Sequence, residues 1–182
     1  MKNLITAFKL FLCMTVITGI IYPFAVWCCG QAVFKERAEG SILKMNGRPV
    51  GSGLIGQNFS RPEYFRPRPS AVNYDPMPSG GSNLSLTSAQ LRAALKDRKA
   101  KFIMETIPSD LLFASGSGLD PHISPEAAHL QCPRVAHIRG VPEVDIMSLV
   151  DAATEPRQAG FLGEPRVNVL RLNLKLDEKY LK

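Results

Sequence analysis

Cysteine is scarce and badly placed for disulfide chemistry. Of the four cysteines, Cys13, Cys28 and Cys29 share one apolar run and Cys132 stands alone in the remainder, so no disulfide framework is available and cysteine usage does not report the compartment. Histidine is scarcer still. His122, His129 and His137 are spaced seven and eight residues apart, and His129 forms an H-x-x-C pair with Cys132, short of the three or four convergent ligands that a metal centre uses. No G-x-x-x-x-G-K-[ST] pattern occurs, so the glycine-rich segments lack the lysine of a phosphate-binding loop. Charge is missing altogether between Lys9 and Lys35.

That uncharged run, Leu10 to Phe34, exceeds the roughly 20 apolar residues needed to cross a hydrocarbon core about 30 Å thick. A cleaved signal peptide is the rival reading. Its apolar core is shorter, about 7 to 15 residues, and ends in small residues, whereas this run continues through Trp27-Cys28-Cys29. The expected organisation is a short tail at 1–9, a transmembrane helix at 10–34 and a soluble domain at 35–182. At about 145 residues, that domain is long enough to bury one core and too short for two. Within the helix, Thr15, Thr18, Gly19 and Tyr22 fall at i, i+3, i+4 and i+7 and make a small, slightly polar face that another helix can approach closely. Pro23 presses on the carbonyl of Gly19, which predicts a kink.

The formal net charge of +6 and the pI near 9.3 raise the question of nucleic acid, because clustered Lys and Arg neutralise phosphates. Here the basic residues are scattered from Lys35 to Lys182 without a recognisable nucleic-acid-binding motif, and a nucleic-acid partner is not expected. For orientation, Lys2 and Lys9 precede the helix while Lys35, Arg37, Lys44 and Arg48 follow it. Long domains translocate largely regardless of charge, so the short basic tail carries more of the signal and points to the cytoplasm.

Along the soluble part, residues 46–87 are rich in Gly, Pro, Ser and Asn but carry Phe59, Tyr64, Phe65 and Tyr74. These spaced aromatics supply apolar area, so an ordered, mostly irregular segment is expected rather than a flexible linker, with a short strand near Val50 to Ile55. Ser88 to about Phe102 reads as a helix with Leu91, Ala94, Leu95 and Phe102 on one stripe and Thr87 or Ser88 as cap. Ser124-Pro125-Glu126 opens another, with Pro125 where its missing N–H is harmless, and Pro133 interrupts it before Arg134 to Arg139. Pro142 opens a further helix that buries Ile146, Leu149 and Val150. The tail from Val167 to Leu176 reads as a strand, because Val and Leu alternate with Asn, Arg and Lys, and the change of buried face at Val169-Leu170 suggests a bulge. Gly116 and Gly118 are expected to hold backbone conformations that side chains resist, and Asp120 to cap a turn over Pro121-His122.

Four stretches together carry a specific likeness. They are Ser115-Gly116-Ser117-Gly118-Leu119-Asp120-Pro121-His122-Ile123-Ser124, Arg68-Pro69-Ser70-Ala71, Ser79-Gly80-Gly81-Ser82-Asn83, and Gly163-Glu164-Pro165-Arg166-Val167-Asn168-Val169-Leu170. Across nearly its whole length the chain resembles the C subunit of the Kdp-type potassium-transporting P-type ATPase. The resemblance implies an α+β fold class, with one N-terminal transmembrane helix followed by a single small mixed α/β extracytoplasmic domain in the bacterial inner membrane. It also implies a non-catalytic accessory subunit that assembles with the potassium-translocating A subunit and the ATP-hydrolysing B subunit. In such a complex potassium is the transported ion, ATP acts through the catalytic partner, no cofactor is bound tightly by this subunit, and lipid surrounds its helix. The chain has neither the D-K-T-G phosphorylation motif of a catalytic P-type subunit nor a T-V-G-Y-G-like filter loop, so neither of those roles is open to it.

A second reading follows from the same family. Its C subunit has been proposed as a catalytic chaperone that raises the nucleotide affinity of the B subunit through a transient complex. Ser79-Gly80-Gly81-Ser82 resembles the signature loop of ATP-binding cassette proteins, and with Gln57 it is the candidate nucleotide contact. A plain glycine turn is the alternative for the same four residues. Topology opposes the nucleotide role, because ATP is cytoplasmic and the expected orientation puts these residues on the other side.

Overall fold

A computed structural model describes residues 2–102 and 106–180. The chain separates into two compact units, Met1–Ile42 and Leu43–Lys182. The first is one long helix, Lys2–Val33, whose most apolar window has a mean hydropathy of 2.2 and no buried residue. It consists of α1 (Lys2–Val16), a π-helical turn (Ile17–Ile21) and α2 (Tyr22–Val33), with the short α3 (Lys35–Ala38) after it. Just before Pro23, where a kink is expected, the helix carries that π turn. Pro23 has no N–H, and the Tyr22 amide shifts by one residue to the Ile17 carbonyl, a widening that accommodates the ring. The Thr15 and Thr18 hydroxyls turn back to the carbonyls of Phe11 and Met14, at 2.8 and 2.7 Å.

The second unit begins with a hairpin, β1 (Ile42–Met45) and β2 (Arg48–Ser52). Asn46 and Gly47 join the strands, both with positive φ (51° and 78°), as a tight two-residue hairpin turn requires. The strand expected at Val50 to Ile55 is therefore displaced: it ends at Ser52, and Leu54 and Ile55 lie in the turn that follows. Irregular but ordered chain then runs to Ser88, whose hydroxyl caps α4 (Ala89–Lys99) by accepting from the Leu91 amide at 3.4 Å. After α5 (Ser109–Leu112) and β3 (His122–Ile123), Ser124 caps α6 (Pro125–His129), and α7 (Cys132–Arg139) closes on Gly140 in the left-handed region. Next come α8 (Glu143–Ala153), β4 (Thr154–Glu155), β5 (Arg166–Asn168) and α9 (Val169–Tyr180). The antiparallel sheet has the order β3-β5-β4, with His122 opposite Asn168 and Thr154 opposite Val167. Phe65, Ile123, Val135, Ile146, Val150, Val167, Leu172 and Leu176 form its core.

The tail departs from the expected strand. Extended chain lasts only from Arg166 to Asn168, and a helix follows. Val169, Leu172, Asn173, Leu176 and Asp177 are buried while Arg171, Lys175 and Glu178 are exposed, a spacing of i, i+3, i+4, i+7 and i+8 that belongs to a helix face. The step at Val169-Leu170 is thus a change of secondary structure and not a bulge. Asn168 makes the junction: its Oδ1 accepts from the Arg171 amide at 3.1 Å, as a helix cap does, and its Nδ2 donates to the Gly53 carbonyl at 2.7 Å.

Candidate functional site

Three of the sequence stretches meet in one knot of loops. The Ser115 amide donates to the Pro69 carbonyl at 3.1 Å, the Gly80 amide to Ser117 at 2.9 Å, and the Gly56 amide to Leu119 at 2.7 Å. Close approach is what the glycines allow here. A Cβ on Gly118, whose φ is +71°, would sit 2.5 Å from Val72 Cγ2 and 2.8 Å from the Gly80 carbonyl oxygen, and one on Gly81 would sit 3.0 Å from the Gly116 carbonyl oxygen. Gly116 itself corrects the expectation: its φ lies outside the left-handed region and a Cβ there would meet nothing within 4 Å. Gly116 therefore serves as the backbone against which Gly81 packs.

Ser70 organises the neighbouring turn, its hydroxyl accepting from the amides of Val72 and Tyr74 at 3.2 and 2.9 Å. The Tyr74 hydroxyl donates to the Arg68 carbonyl at 2.7 Å, and burial raises its pKa to about 12. Arg68 in turn reaches Asp120, Nη1 to Oδ2 at 3.1 Å, while its buried Nε has no hydrogen-bond partner among the described residues. Asp120 caps its turn as expected, Oδ1 accepting from the His122 amide at 3.0 Å. Burial alone would raise the Asp120 carboxyl, but hydrogen bonds from the His122 side chain and backbone, with the Arg68 charge, hold it below its ordinary value.

The fourth stretch meets those of Arg68 and Asp120 at an open cleft of about 820 Å³, lined by Arg68, Asp120, Pro165 and Arg166 among others. Gly163 has a φ of 74° and turns the chain into it, Glu164 pairs with Arg157 at 2.5 Å, and Arg166 pairs with Glu155 at 3.0 Å. Pro121 lends its carbonyl to the Val169 amide at 2.9 Å and so ties this corner to the start of α9. Asp110 and Glu126, which sequence reasoning did not single out, also line the cleft. Asp110 Oδ2 accepts from the Ser124 amide at 2.6 Å, a contact across 14 residues with no local signature. The lining also includes the apolar Ile107, Ile123 and Leu130.

Other sequence candidates lie apart. Gln57, five residues beyond the hairpin, donates to the Val50 carbonyl in β2 at 3.4 Å, whereas Ser79, Gly80, Gly81 and Ser82 belong to the loop knot. No helix starts at Ser82, since the next begins at Ala89. His129 Nε2 pairs with Asp151 at 2.9 Å, and the Cys132 thiol is buried against the Ala128 carbonyl, which pushes its pKa up to about 12. Among the described residues no three His, Cys, Asp or Glu side chains come together as a metal cluster. Thr15, Thr18, Gly19, Tyr22 and Pro23 all lie on the exposed first helix.

Comparison with known proteins agrees with the geometry in covering both units. Residues 4–178 match the family model of the K+-transporting ATPase, c chain. The chain is 50% identical over 186 residues to the potassium-transporting ATPase KdpC subunit of Geotalea uraniireducens (98% of each chain). It is likewise 50% identical over 185 residues to that of Geobacter sulfurreducens (97% of this chain, 98% of the relative). The KdpC subunit of Caldanaerobacter subterraneus subsp. tengcongensis is 46% identical over 181 residues (96% of this chain, 94% of the relative). The chain belongs to the c chain family of K+-transporting ATPases, an accessory subunit and not the catalytic one.

Proposed function

We propose that this chain is the accessory subunit of an ATP-driven, high-affinity potassium uptake complex of the bacterial inner membrane. In this reading its basic tail lies in the cytoplasm and its helix docks against the potassium-translocating A subunit. The domain packs outside, beside the ion entrance, and holds the A and B subunits together. The observation that carries it is the helix Lys2–Val33, apolar enough to cross a membrane and with no residue buried. At Gly19 it leaves its backbone open, as a close helix partner requires. One tether keeps the folded domain at high effective concentration beside its partner. The cleft of Arg68, Asp120 and Arg166 is the surface offered to that partner. Potassium is carried by the complex and ATP is hydrolysed by the B subunit, with neither assigned to side chains of this chain.

Gly19→Leu places a bulky side chain in the approach and is expected to lower recovery of both partner subunits in detergent, while Cys13→Ala, on the opposite side of the helix from Thr15 and Thr18, leaves it intact. Normal recovery with Gly19→Leu would refute the docking. Protease added from outside the cell should digest the domain, and protection of the domain in intact cells with digestion after permeabilisation would reverse the orientation.

A further inference from the structure

The π turn has a chemical consequence for a segment in hydrocarbon. In a regular α-helix the Tyr22 amide would serve the Thr18 carbonyl, but here it donates to Ile17. The next residue along the chain is Pro23, which has no N–H to offer. The Thr18 carbonyl is thereby left without a donor from its own helix. The Thr18 hydroxyl cannot fill the gap, being given to the Met14 carbonyl at 2.7 Å. Gly19 follows directly, and a Cβ there would meet nothing within 4 Å, so no side chain at that position shields the backbone.

Lipid tails carry no hydrogen-bond donor, and backbone groups inside a membrane must be satisfied by protein or by water in a cavity. Thr18 lies well inside the uncharged run from Leu10 to Phe34, away from headgroups and bulk water. We infer that the Thr18 carbonyl accepts a hydrogen bond from a donor side chain, a hydroxyl, an amide or an indole N–H, on a transmembrane helix of the partner subunit packed over Gly19. The inference rests on the proposed docking of this helix and adds its chemistry. The small residue admits the partner, and the orphaned carbonyl selects one with a donor at that depth. Packing alone would accept any smooth helix, whereas a carbonyl in need of a donor favours one register and disfavours apolar alternatives.

Two measurements on the full-length subunit test it. Pro23→Ala restores an N–H and a regular helix, so the carbonyl is satisfied internally and the partner's donor loses its acceptor. Recovery of the partner subunits should fall about threefold or more, the scale of an interhelical hydrogen bond in a membrane. Full recovery with Pro23→Ala, beside loss with Gly19→Leu, overturns the hydrogen bond and leaves the docking standing, while full recovery with both overturns the docking as well. The second measurement places an isotope label in the Thr18 carbonyl and compares its infrared amide frequency in the subunit alone, in phosphatidylethanolamine–phosphatidylglycerol vesicles, with that in the assembled complex. Assembly should move it to lower frequency, and a label at Phe11, whose carbonyl already accepts from Thr15, should not move. A Thr18 frequency that is the same in both states overturns the inference.

Discussion

Asn173 and Phe65 are bound to each other twice. Across 108 residues of sequence, Asn173 Oδ1 accepts from the Phe65 amide at 2.9 Å and its Nδ2 donates to the Phe65 carbonyl at 3.0 Å. One residue further on, Gln131 does the same for Arg66, accepting from its amide at 2.8 Å and donating to its carbonyl at 3.1 Å. Two amide side chains thus stand in for the neighbouring strand that this irregular segment lacks. Phe65, fully buried, is held in the core by its backbone as well as its ring, and this anchors the chain that leads to Arg68 and the cleft.

Asn173→Leu removes both hydrogen bonds and leaves the buried Phe65 amide and carbonyl unsatisfied. Each such group costs about 1 to 3 kcal/mol, so the variant should lose about 2 to 6 kcal/mol of stability by chemical denaturation. A loss below about 1 kcal/mol would mean that the segment finds other partners.

Gly118→Ala and Gly116→Ala should differ. At Gly118 both the positive φ and the contact with the Gly80 carbonyl oppose a Cβ, which predicts a loss of about 1 to 3 kcal/mol. At Gly116, where neither applies, the loss should stay within about 0.5 kcal/mol. Equal losses in thermal melts of the two variants would contradict this account of the loop knot.

Asp120 predicts the acid limb of stability. Its folded pKa lies below the ordinary aspartate value, so its contribution is complete above that value and is lost as pH falls below it toward the folded pKa, because the unfolded state binds the proton first. Asp120→Asn should therefore lower stability at neutral pH and flatten the pH dependence below about 4. Denaturation midpoints for both proteins across that range provide the check, and parallel acid limbs would exclude Asp120 as the titrating group.

Nucleotide binding by the subunit alone should be absent at physiological salt. The Gly80 amide of the Ser79-Gly80-Gly81-Ser82 turn is already given to Ser117, and the chain offers no P-loop lysine. Residual binding through net positive charge should vanish as salt shortens electrostatic reach to about 8 Å. Calorimetric titration with Mg-ATP tests this, and micromolar affinity abolished by Ser79→Ala or Gly81→Ala would favour the chaperone role instead.

What the sequence determined by itself were the features written in adjacent residues. Charge-free length at 10–34 marks the apolar part of the first helix, which the structure extends over Lys2–Val33. Ser88, Ser124-Pro125 and Asp120 mark caps and a turn, because each acts on a backbone amide two or three residues away. The tertiary structure decided the rest. Leucines at 170, 172, 174 and 176 satisfy a strand's period, and packing settled the matter: as a helix the same segment turns Val169, Leu172, Asn173 and Leu176 together into the core. The pairing of Asn173 with Phe65, of Gln131 with Arg66 and of Arg68 with Asp120 joins residues 108, 65 and 52 positions apart. A side chain's choice of a distant backbone partner leaves no periodic or local trace, since it exists only once the core has brought the two together.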